Sequence, residues 1–264
     1  MNRIENRLNL LKEENKKAFI TYITAGLPDL EKTKDIIKAQ EMAGTDIVEM
    51  GIPFSDPIAD GPVIQQASYE AILNGASLKK IFVCLEEMRA EGVEIPVVFM
   101  MYYNTIVHFG IEKFVEECHR TGVDGLIVPD LPYEEQETLA NALAGDDRTI
   151  LIQLVSPVSK ERIPMILENA RGFVYCVSSM GVTGQAADFH REVISYLSYV
   201  KENSQIPVMM GFGIREASDV KPMKDIIDGA IVGSHFINIL RESDFDENAA
   251  ADYSRKFKKE LNEL

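Results

Sequence analysis

The sequence predicts an α/β fold, a single (β/α)8 TIM barrel with a short N-terminal helix, and three observations support this. The chain has 264 residues, a length typical of one such barrel. Eight apolar runs alternate with helical patterns along it. Most of these runs are continuously apolar, which is typical of parallel strands covered on both faces. A doubly wound open sheet is the alternative, and no linker-like segment divides residues 1–264 into two domains.

The predicted elements follow one another in a regular order. Residues 1–15 carry Ile4, Leu8 and Leu11 at helical spacing, which predicts an amphipathic helix across the bottom of the barrel. Ser77 is a candidate N-cap of a helix, and the last helix can dock through Phe257 and Leu261. The eight predicted strands are residues 18–24, 46–50, 96–103, 125–128, 149–155, 173–177, 207–211 and 229–232.

Composition excludes several classes of function. The 27 basic and 42 acidic residues give a net charge of −15, which argues against nucleic acid or an anionic membrane as a partner. Cys84, Cys118 and Cys176 lack the spacing of metal ligands, so we expect buried, reduced thiols and no metal site. Without a secretory segment or an apolar run of membrane-spanning length, the sequence predicts a cytoplasmic protein.

The stretch of residues 46–65 carries the first candidate chemistry. Glu49 ends a buried apolar run, where a carboxylate is costly unless a cavity or a partner receives it. A proline-rich loop follows, and Asp60 lies in it just before Pro62, a residue favoured at the first position of a helix. Two carboxylates at one rim suit acid–base catalysis on a small molecule. The alternative is structural: Glu49 pairs with a cation and Asp60 caps the helix.

Glycine-rich segments follow three of the predicted strands and indicate a phosphate site. They are 178–184, 211–214 and 232–235, the last ending in Gly-Ser-His. Glycine lets successive backbone N–H groups approach an anion, and a helix beginning at Ser234 would add positive potential. Tight turns without a ligand are the alternative. Tyr22, Tyr102 and Tyr175 occupy predicted strand positions, where they line a pocket or simply pack.

At this point the sequence resembles the tryptophan synthase alpha chain family along essentially its whole length. The match is nearly complete over residues 49–65, and shorter matches lie at residues 25–29, 102–104, 129–132, 181–184, 211–214 and 233–234. The resemblance implies a (β/α)8 carbon–carbon lyase that cleaves indole-3-glycerol phosphate to indole and glyceraldehyde 3-phosphate, in the last steps of L-tryptophan biosynthesis. It also implies a beta chain partner in an α2β2 heterotetramer. Pyridoxal phosphate is expected only in that partner, and no cofactor in this chain.

The resemblance also assigns roles to individual residues. Glu49 matches the acid–base glutamate, and Asp60 matches the carboxylate that holds the indole N–H. Asp56, Pro57 and Asn104 fall in regions that meet the beta chain. The substrate-binding positions, among which Gly184, Gly213 and Ser234 bind phosphate, are Tyr22, Tyr102, Tyr175, Thr183, Gly184, Gly211, Phe212, Gly213, Gly233 and Ser234.

Four departures from the family pattern bear on lid closure, on communication with the partner and on phosphate affinity. They are Ser179-Met180, Thr105, His235 and Asn238.

Burial raises the pKa of a carboxyl group, so we expect Glu49 to be protonated. Asp60 lies on a wetter loop, so we expect it to be ionised. Two other functions are considered. A phosphate-binding isomerase or epimerase would share the glycine loops but not the loop with Asp60. A non-catalytic subunit would not need Glu49.

Overall fold

The computed structural model describes residues 2–177, 186–211 and 213–264, except for the side chains of residues 186–190. The described strands are β1 (Ala18–Thr24), β2 (Ile47–Gly51), β3 (Val97–Met100), β4 (Gly125–Ile127), β5 (Ile150–Leu151), β6 (Gln153–Val155), β7 (Val174–Cys176), β8 (Val208–Met210) and β9 (Gly229–Val232). The α-helices are α1 (Arg3–Glu13), α2 (Leu30–Ala43), α3 (Pro62–Leu73), α4 (Leu78–Ala90), α5 (Tyr103–Phe109), α6 (Ile111–Thr121), α7 (Glu137–Leu143), α8 (Ile163–Leu167), α9 (Ala186–Asn203), α10 (Ser234–Glu242) and α11 (Glu247–Asn262). Short 3₁₀ turns lie at Tyr133–Glu135, Pro157–Arg162 and Ala217–Met223.

The strands form one parallel sheet in the order β5-β4-β3-β2-β1-β9-β8-β7-β6. The two strands at the ends of this order, β5 and β6, are separated in the chain only by Ile152. β5 pairs with β4 and β6 pairs with β7, so the sheet curls round and closes through this one stretch of chain. This confirms the predicted barrel, since a doubly wound open sheet would keep its two edge strands apart.

Two predicted strands differ from the structure. The strand predicted over residues 149–155 is divided at Ile152, because its two halves pair with different neighbours. The strand predicted over residues 96–103 is too long, because β3 ends at Met100 and helix α5 begins at Tyr103. Asp130 causes the chain to turn there, since its Oδ1 accepts the Tyr103 N–H at 2.9 Å. Tyr102 is therefore the N-cap of α5 and lies outside the strand.

Helix α1 covers the end of the barrel at which the strands begin, which we call the lower end. Ile4, Leu8 and Leu11 are buried and belong to the cluster of side chains that fills the barrel interior. Asn2 fixes the start of the helix, because its Oδ1 accepts the Ile4 N–H and its Nδ2 donates to the carbonyl groups of Asp124 and Arg148. The predicted amphipathic helix across the bottom of the barrel is confirmed.

Carboxylates tie neighbouring strands together at the lower end. Asp46 precedes β2, and its Oδ2 accepts the Phe19 N–H of β1 at 2.6 Å. Arg7 of α1 and Lys258 of α11 donate to the same carboxylate at 2.7 Å and 2.6 Å. Asp124 likewise accepts the Val97 N–H and pairs with Arg3 and Arg89, and Asp228 accepts the Val208 N–H and pairs with Lys201. These hydrogen bonds and ion pairs stabilise the fold at the lower end.

Further expectations concern burial and metal sites. Cys84, Cys118 and Cys176 are free and buried, as predicted. Phe257 and Leu261 dock α11 onto the core. Among the described residues, no cluster of histidine, cysteine or acidic side chains suits a metal ion. None of the helices in that part of the chain has the length and apolar character needed to cross a membrane.

Candidate active site

Glu49 projects into the barrel near the end at which the strands finish, which we call the upper end. In β2 it is paired with Tyr22 of β1 and Val98 of β3. Its side chain shares the inward face with Ile47, while Val48 and Met50 pack outward against the helices. Successive strand residues face opposite sides of a sheet, so the barrel geometry directs the carboxyl group into the interior.

The Glu49 carboxyl group is buried and has no partner in the part of the chain that the structure describes. The residue is 1% exposed, and neither carboxyl oxygen has a hydrogen-bond partner among the described residues. The alternative of an ion pair between Glu49 and a cation is therefore wrong for that part of the chain. Burial, followed by the negative charge of Asp60, raises the pKa of Glu49 to about 8. The side chain accordingly holds a proton at neutral pH, as predicted, and can donate it.

Asp60 lies in the loop between β2 and α3, and the contacts of this loop fix its position. The Tyr102 hydroxyl group donates to Asp60 Oδ2 at 2.9 Å, and Gln65 Nε2 donates to the Asp60 carbonyl oxygen at 2.8 Å. The N-cap of α3 is Gly61, so the alternative in which Asp60 caps this helix is wrong. Helix α3 begins at Pro62, as predicted.

Asp60 is more exposed to solvent than Glu49, as predicted, but it is not fully exposed. Asp60 is half-buried, and this burial raises its pKa, while the hydrogen bond from Tyr102 lowers it. Glu49 is the more deeply buried of the two carboxyl groups, and its pKa is raised further. The predicted difference between the two environments therefore exists, and it comes from the smaller burial of Asp60 together with its hydrogen bond from Tyr102.

Two buried tyrosines surround Glu49 and depend on glycines beside them. Tyr22 lies in β1 and Tyr175 in β7. A Cβ atom on Gly51 would lie 1.9 Å from the Tyr22 hydroxyl oxygen, and one on Gly211 would lie 2.4 Å from the Tyr175 ring. Burial raises the pKa of the Tyr175 hydroxyl, with the Glu49 charge as the next cause, so both groups face one space. Gly51 is not identified from the sequence as a residue that makes room for Tyr22, although its position directly after the predicted strand is a signal in the sequence.

The glycine-rich loops after β8 and β9 lie side by side, since these strands are neighbours. Gly211 follows β8, and Gly213 has a φ of +64°, a conformation that favours glycine. Gly233 is the N-cap of α10 and makes no side-chain capping bond, and Ser234 begins that helix, as predicted. The arrangement leaves the first-turn N–H groups of a helix available for an anion. Thr183, Gly184 and Phe212 lie outside the described residues.

Three of the departures from the family pattern lie within the described residues, two in α10 and one in α5. The His235 ring packs edge-on against Tyr253, with ring centres 5.7 Å apart. Burial and the Arg215 charge lower its pKa, so His235 is neutral at pH 7 and adds no fixed charge near Ser234. Asn238 is half-buried in α10. Thr105 lies in the first turn of α5, where its N–H donates to the Tyr102 carbonyl oxygen at 3.1 Å. Ser179-Met180 lies outside the described residues.

The residues expected to meet a partner lie on the surface at the upper end. Asp56 and Asn104 are exposed, and Pro57 is half-buried between them and the core. Ile58 is 84% exposed and Val107 is 53% exposed, so apolar side chains accompany the polar ones. Such a mixture is typical of protein–protein interfaces.

Fold and site together are those of an enzyme of the (β/α)8 barrel class, with two carboxyl groups near the upper end of the strands. The model of the family "Tryptophan synthase alpha chain" matches residues 8–264. The chain is 65% identical over 263 residues to the tryptophan synthase alpha chain of Lachnospira eligens, covering 99% of this chain and 100% of that one. It is 47% identical over 237 residues to that of Thermoanaerobacter sp., covering 90% of each chain.

Solved structures agree with these relatives. Tryptophan synthase subunit alpha from Legionella pneumophila superposes with a TM-score of 0.89 at 31% identity, covering 100% of both chains. A chain of ligand-free M. tuberculosis tryptophan synthase superposes with a TM-score of 0.87 at 28% identity, covering 99% of this chain and 100% of that one. This chain belongs to the tryptophan synthase alpha chain family, the lyases that cleave indole-3-glycerol phosphate in tryptophan biosynthesis. The predicted family is confirmed, and membership favours a lyase over an isomerase or epimerase.

Proposed function

We propose that Glu49 and Asp60 catalyse the retro-aldol cleavage of indole-3-glycerol phosphate in this chain. The observation that carries the proposal is the buried Glu49 carboxyl group, which has no partner among the described residues and whose pKa is raised to about 8. A group of this kind is costly to fold and is suited to proton transfer. It lies close enough to Asp60 for the charge of one to affect the pKa of the other.

The proposed reaction moves one proton in and one proton out. Glu49 donates its proton to indole C3, which places a positive charge on the ring nitrogen. Asp60 faces that N–H and stabilises the charge. The bond between C3 and the glycerol carbon then breaks, and its electron pair restores the indole ring. The ionised Glu49 accepts the proton of the hydroxyl group on that carbon, which becomes the aldehyde of glyceraldehyde 3-phosphate.

Two conservative variants test these roles. Glu49→Gln removes the titrating proton, and Asp60→Asn removes the negative charge, while both keep side-chain size. Each variant should lower single-turnover indole formation by roughly 10²- to 10⁴-fold, the usual scale for a lost acid–base group. Glu116→Gln, on the exposed face of α6, controls for the loss of one carboxylate elsewhere. Near-normal turnover in a folded Glu49→Gln protein would remove Glu49 from the mechanism.

We propose that backbone N–H groups around Gly184, Gly213 and Ser234 bind the phosphate. The substrate also contacts Tyr22, Tyr102, Tyr175, Thr183, Gly211, Phe212 and Gly233. Support comes from the positive φ of Gly213 and from the uncapped first turn of α10. Gly213→Val forces a branched side chain into the left-handed region and should weaken glycerol phosphate binding in calorimetry. Gly145 also has a positive φ, 87°, so Gly145→Val applies the same backbone strain elsewhere and should leave binding unchanged.

We propose further that a beta chain carrying pyridoxal phosphate docks at Asp56, Pro57 and Asn104 in an α2β2 assembly. In this proposal the chain is a single cytoplasmic domain and has no cofactor of its own. The exposed apolar side chains of Ile58 and Val107 support this surface. Ile58→Asp should weaken complex formation with a beta chain, measured by calorimetry at micromolar concentration. Leu10→Asp makes the same change on α1 at the lower end, where Leu10 is 51% exposed, and should have no effect. Equal binding by both variants would contradict the proposed surface.

A further inference from the structure

Tyr102 connects the end of β3 to the loop that carries Asp60. It is the N-cap residue of α5 and is 5% exposed. Its hydroxyl oxygen accepts the Ala59 N–H at 2.9 Å, and its hydroxyl group donates to Asp60 Oδ2 at 2.9 Å. Two consecutive residues of the loop are thus held by one buried side-chain atom.

This arrangement fixes the direction of the Tyr102 hydroxyl proton. A tyrosine hydroxyl group has one proton to donate and lone pairs with which to accept. Because the Ala59 N–H occupies a lone pair, the single proton points toward Asp60. A hydrogen bond from a fixed donor to an ionised carboxylate is stronger than one between neutral groups, and it orients the carboxylate.

The Tyr102 ring is itself held in place. It stacks on the Phe54 ring with centres 5.1 Å apart and an angle of 24° between the planes. Phe54 is anchored to helix α3, since its N–H donates to Ser68 Oγ at 2.7 Å and the Ser68 hydroxyl group donates back to the Phe54 carbonyl oxygen at 3.0 Å. The beginning and the end of the loop are therefore fixed through one stacked pair of rings.

We propose that Tyr102 is a positioning residue for Asp60, whose hydroxyl group holds Oδ2 so that Oδ1 remains for the indole N–H. This inference rests on the proposed role of Asp60. It gives Tyr102 a function beyond the contact of its ring with the substrate, because the hydroxyl group acts through the Asp60 carboxylate. The hydrogen bond also opposes the rise that burial causes in the pKa of Asp60, so it favours the ionised form.

Among the described residues, the ionisable groups that face this pair are Glu49, Tyr22, Tyr175 and Asp130. Glu49 is protonated at neutral pH, and burial raises the pKa values of Tyr22 and Tyr175, so these tyrosines stay neutral. Burial, then the charge of Asp60 and last that of Asp130, at the end of β4, raise the pKa of Tyr102. None of these groups supplies the hydrogen bond that Tyr102 donates. Removing it should therefore raise the pKa of Asp60 and move the acidic limb of the rate profile to higher pH.

The test is Tyr102→Phe, which keeps the stacked ring and removes only the hydroxyl group. We expect kcat to fall about 10- to 100-fold with little change in KM, and the acidic limb of kcat to move upward in pH. Tyr103→Phe is the matched control one residue further along the chain, and it should leave kcat and the pH profile unchanged. Thermal melting of each variant separates loss of folded protein from loss of rate.

A double-mutant cycle separates positioning from direct contact. If Tyr102 acts through Asp60, Tyr102→Phe should cost almost nothing further in a protein that already carries Asp60→Asn. Additive losses, or a rise in KM alone, would overturn the positioning role and leave Tyr102 as a wall of the pocket. Near-normal turnover of Asp60→Asn by itself would instead contradict the proposed function of Asp60, so the two failures are distinguishable.

Discussion

Glu49→Gln should make the protein more stable relative to the wild type as the pH rises. The unfolded chain ionises Glu49 near the ordinary pKa of 4.5, whereas burial in the folded chain raises that pKa to about 8. Between these values the folded state holds a proton that the unfolded state has lost, so the free energy of unfolding of the wild type falls as the pH rises. At about 1.4 kcal/mol per pH unit, the loss is roughly 3 kcal/mol at pH 7 and approaches roughly 5 kcal/mol above pH 8.

The amide in the Glu49→Gln protein does not titrate, so the variant lacks this loss. Burying an amide has its own cost, but that cost is the same at every pH and does not affect the slope. Urea denaturation at pH 5, 6, 7, 8 and 9 measures the free energy of unfolding of both proteins. Glu116→Gln, in which an exposed carboxylate is removed, should follow the wild type at all five pH values. Parallel curves for wild type and Glu49→Gln would refute the reasoning and show that Glu49 is solvated or paired in solution.

Three further predictions concern packing, charge and thiols. Gly51→Ala places a Cβ atom 1.9 Å from the Tyr22 hydroxyl oxygen and should cost about 1–3 kcal/mol in urea denaturation, together with a loss of turnover; a silent substitution would show that Tyr22 moves freely. Asp124→Asn leaves Arg89, whose side chain is 11% exposed, without its buried charge partner and should lower the free energy of unfolding by about 3–5 kcal/mol. The kcat should stay normal, because Asp124 lies at the end of the barrel remote from Glu49. A loss of stability below about 1 kcal/mol would contradict the importance of this ion pair. Burial raises the pKa values of all three thiols, so labelling with a thiol reagent at pH 8 should proceed at the rate of unfolding, and fast labelling of the native protein would contradict their burial.

Most of the fold can be predicted from the sequence because a parallel barrel repeats one simple pattern. Apolar runs and the spacing of Ile4, Leu8 and Leu11 depend only on neighbouring residues, and the structure confirms the elements they predict. The division at Ile152 could not be predicted in this way. It depends on which strand each half pairs with, and this is decided by the closure of the whole sheet.

The same distinction applies to the candidate site, where local features can be predicted from the sequence and contacts between distant residues cannot. Glu49 and Asp60 can be found as carboxylates at a strand end and in a stiff loop. The hydrogen bond between Tyr102 and Asp60 joins residues 42 positions apart, and the apolar pattern places Tyr102 in a strand. The chain turns after β3, where Asp130 accepts the Tyr103 N–H, and the Tyr102 hydroxyl group reaches the loop from this turn. The prediction that Asp60 is the wetter of the two carboxyl groups is confirmed, but local composition does not reveal its hydrogen-bond partner, because Tyr102 is distant in the sequence.

The carboxylate of Asp46 has a consequence for the order in which the chain folds. It is shared by Arg7 of α1 and Lys258 of α11, so a single buried group joins two helices that lie far apart in the chain. Contacts between distant parts of a chain form late, because the loop between them must close first. While the chain emerges from the ribosome, Asp46 and the Phe19 N–H can meet, but Lys258 arrives only after every strand has been made. The contacts at the lower end are therefore completed only when α11 has been made. A nascent chain that lacks α11 should remain a target for chaperones and proteases.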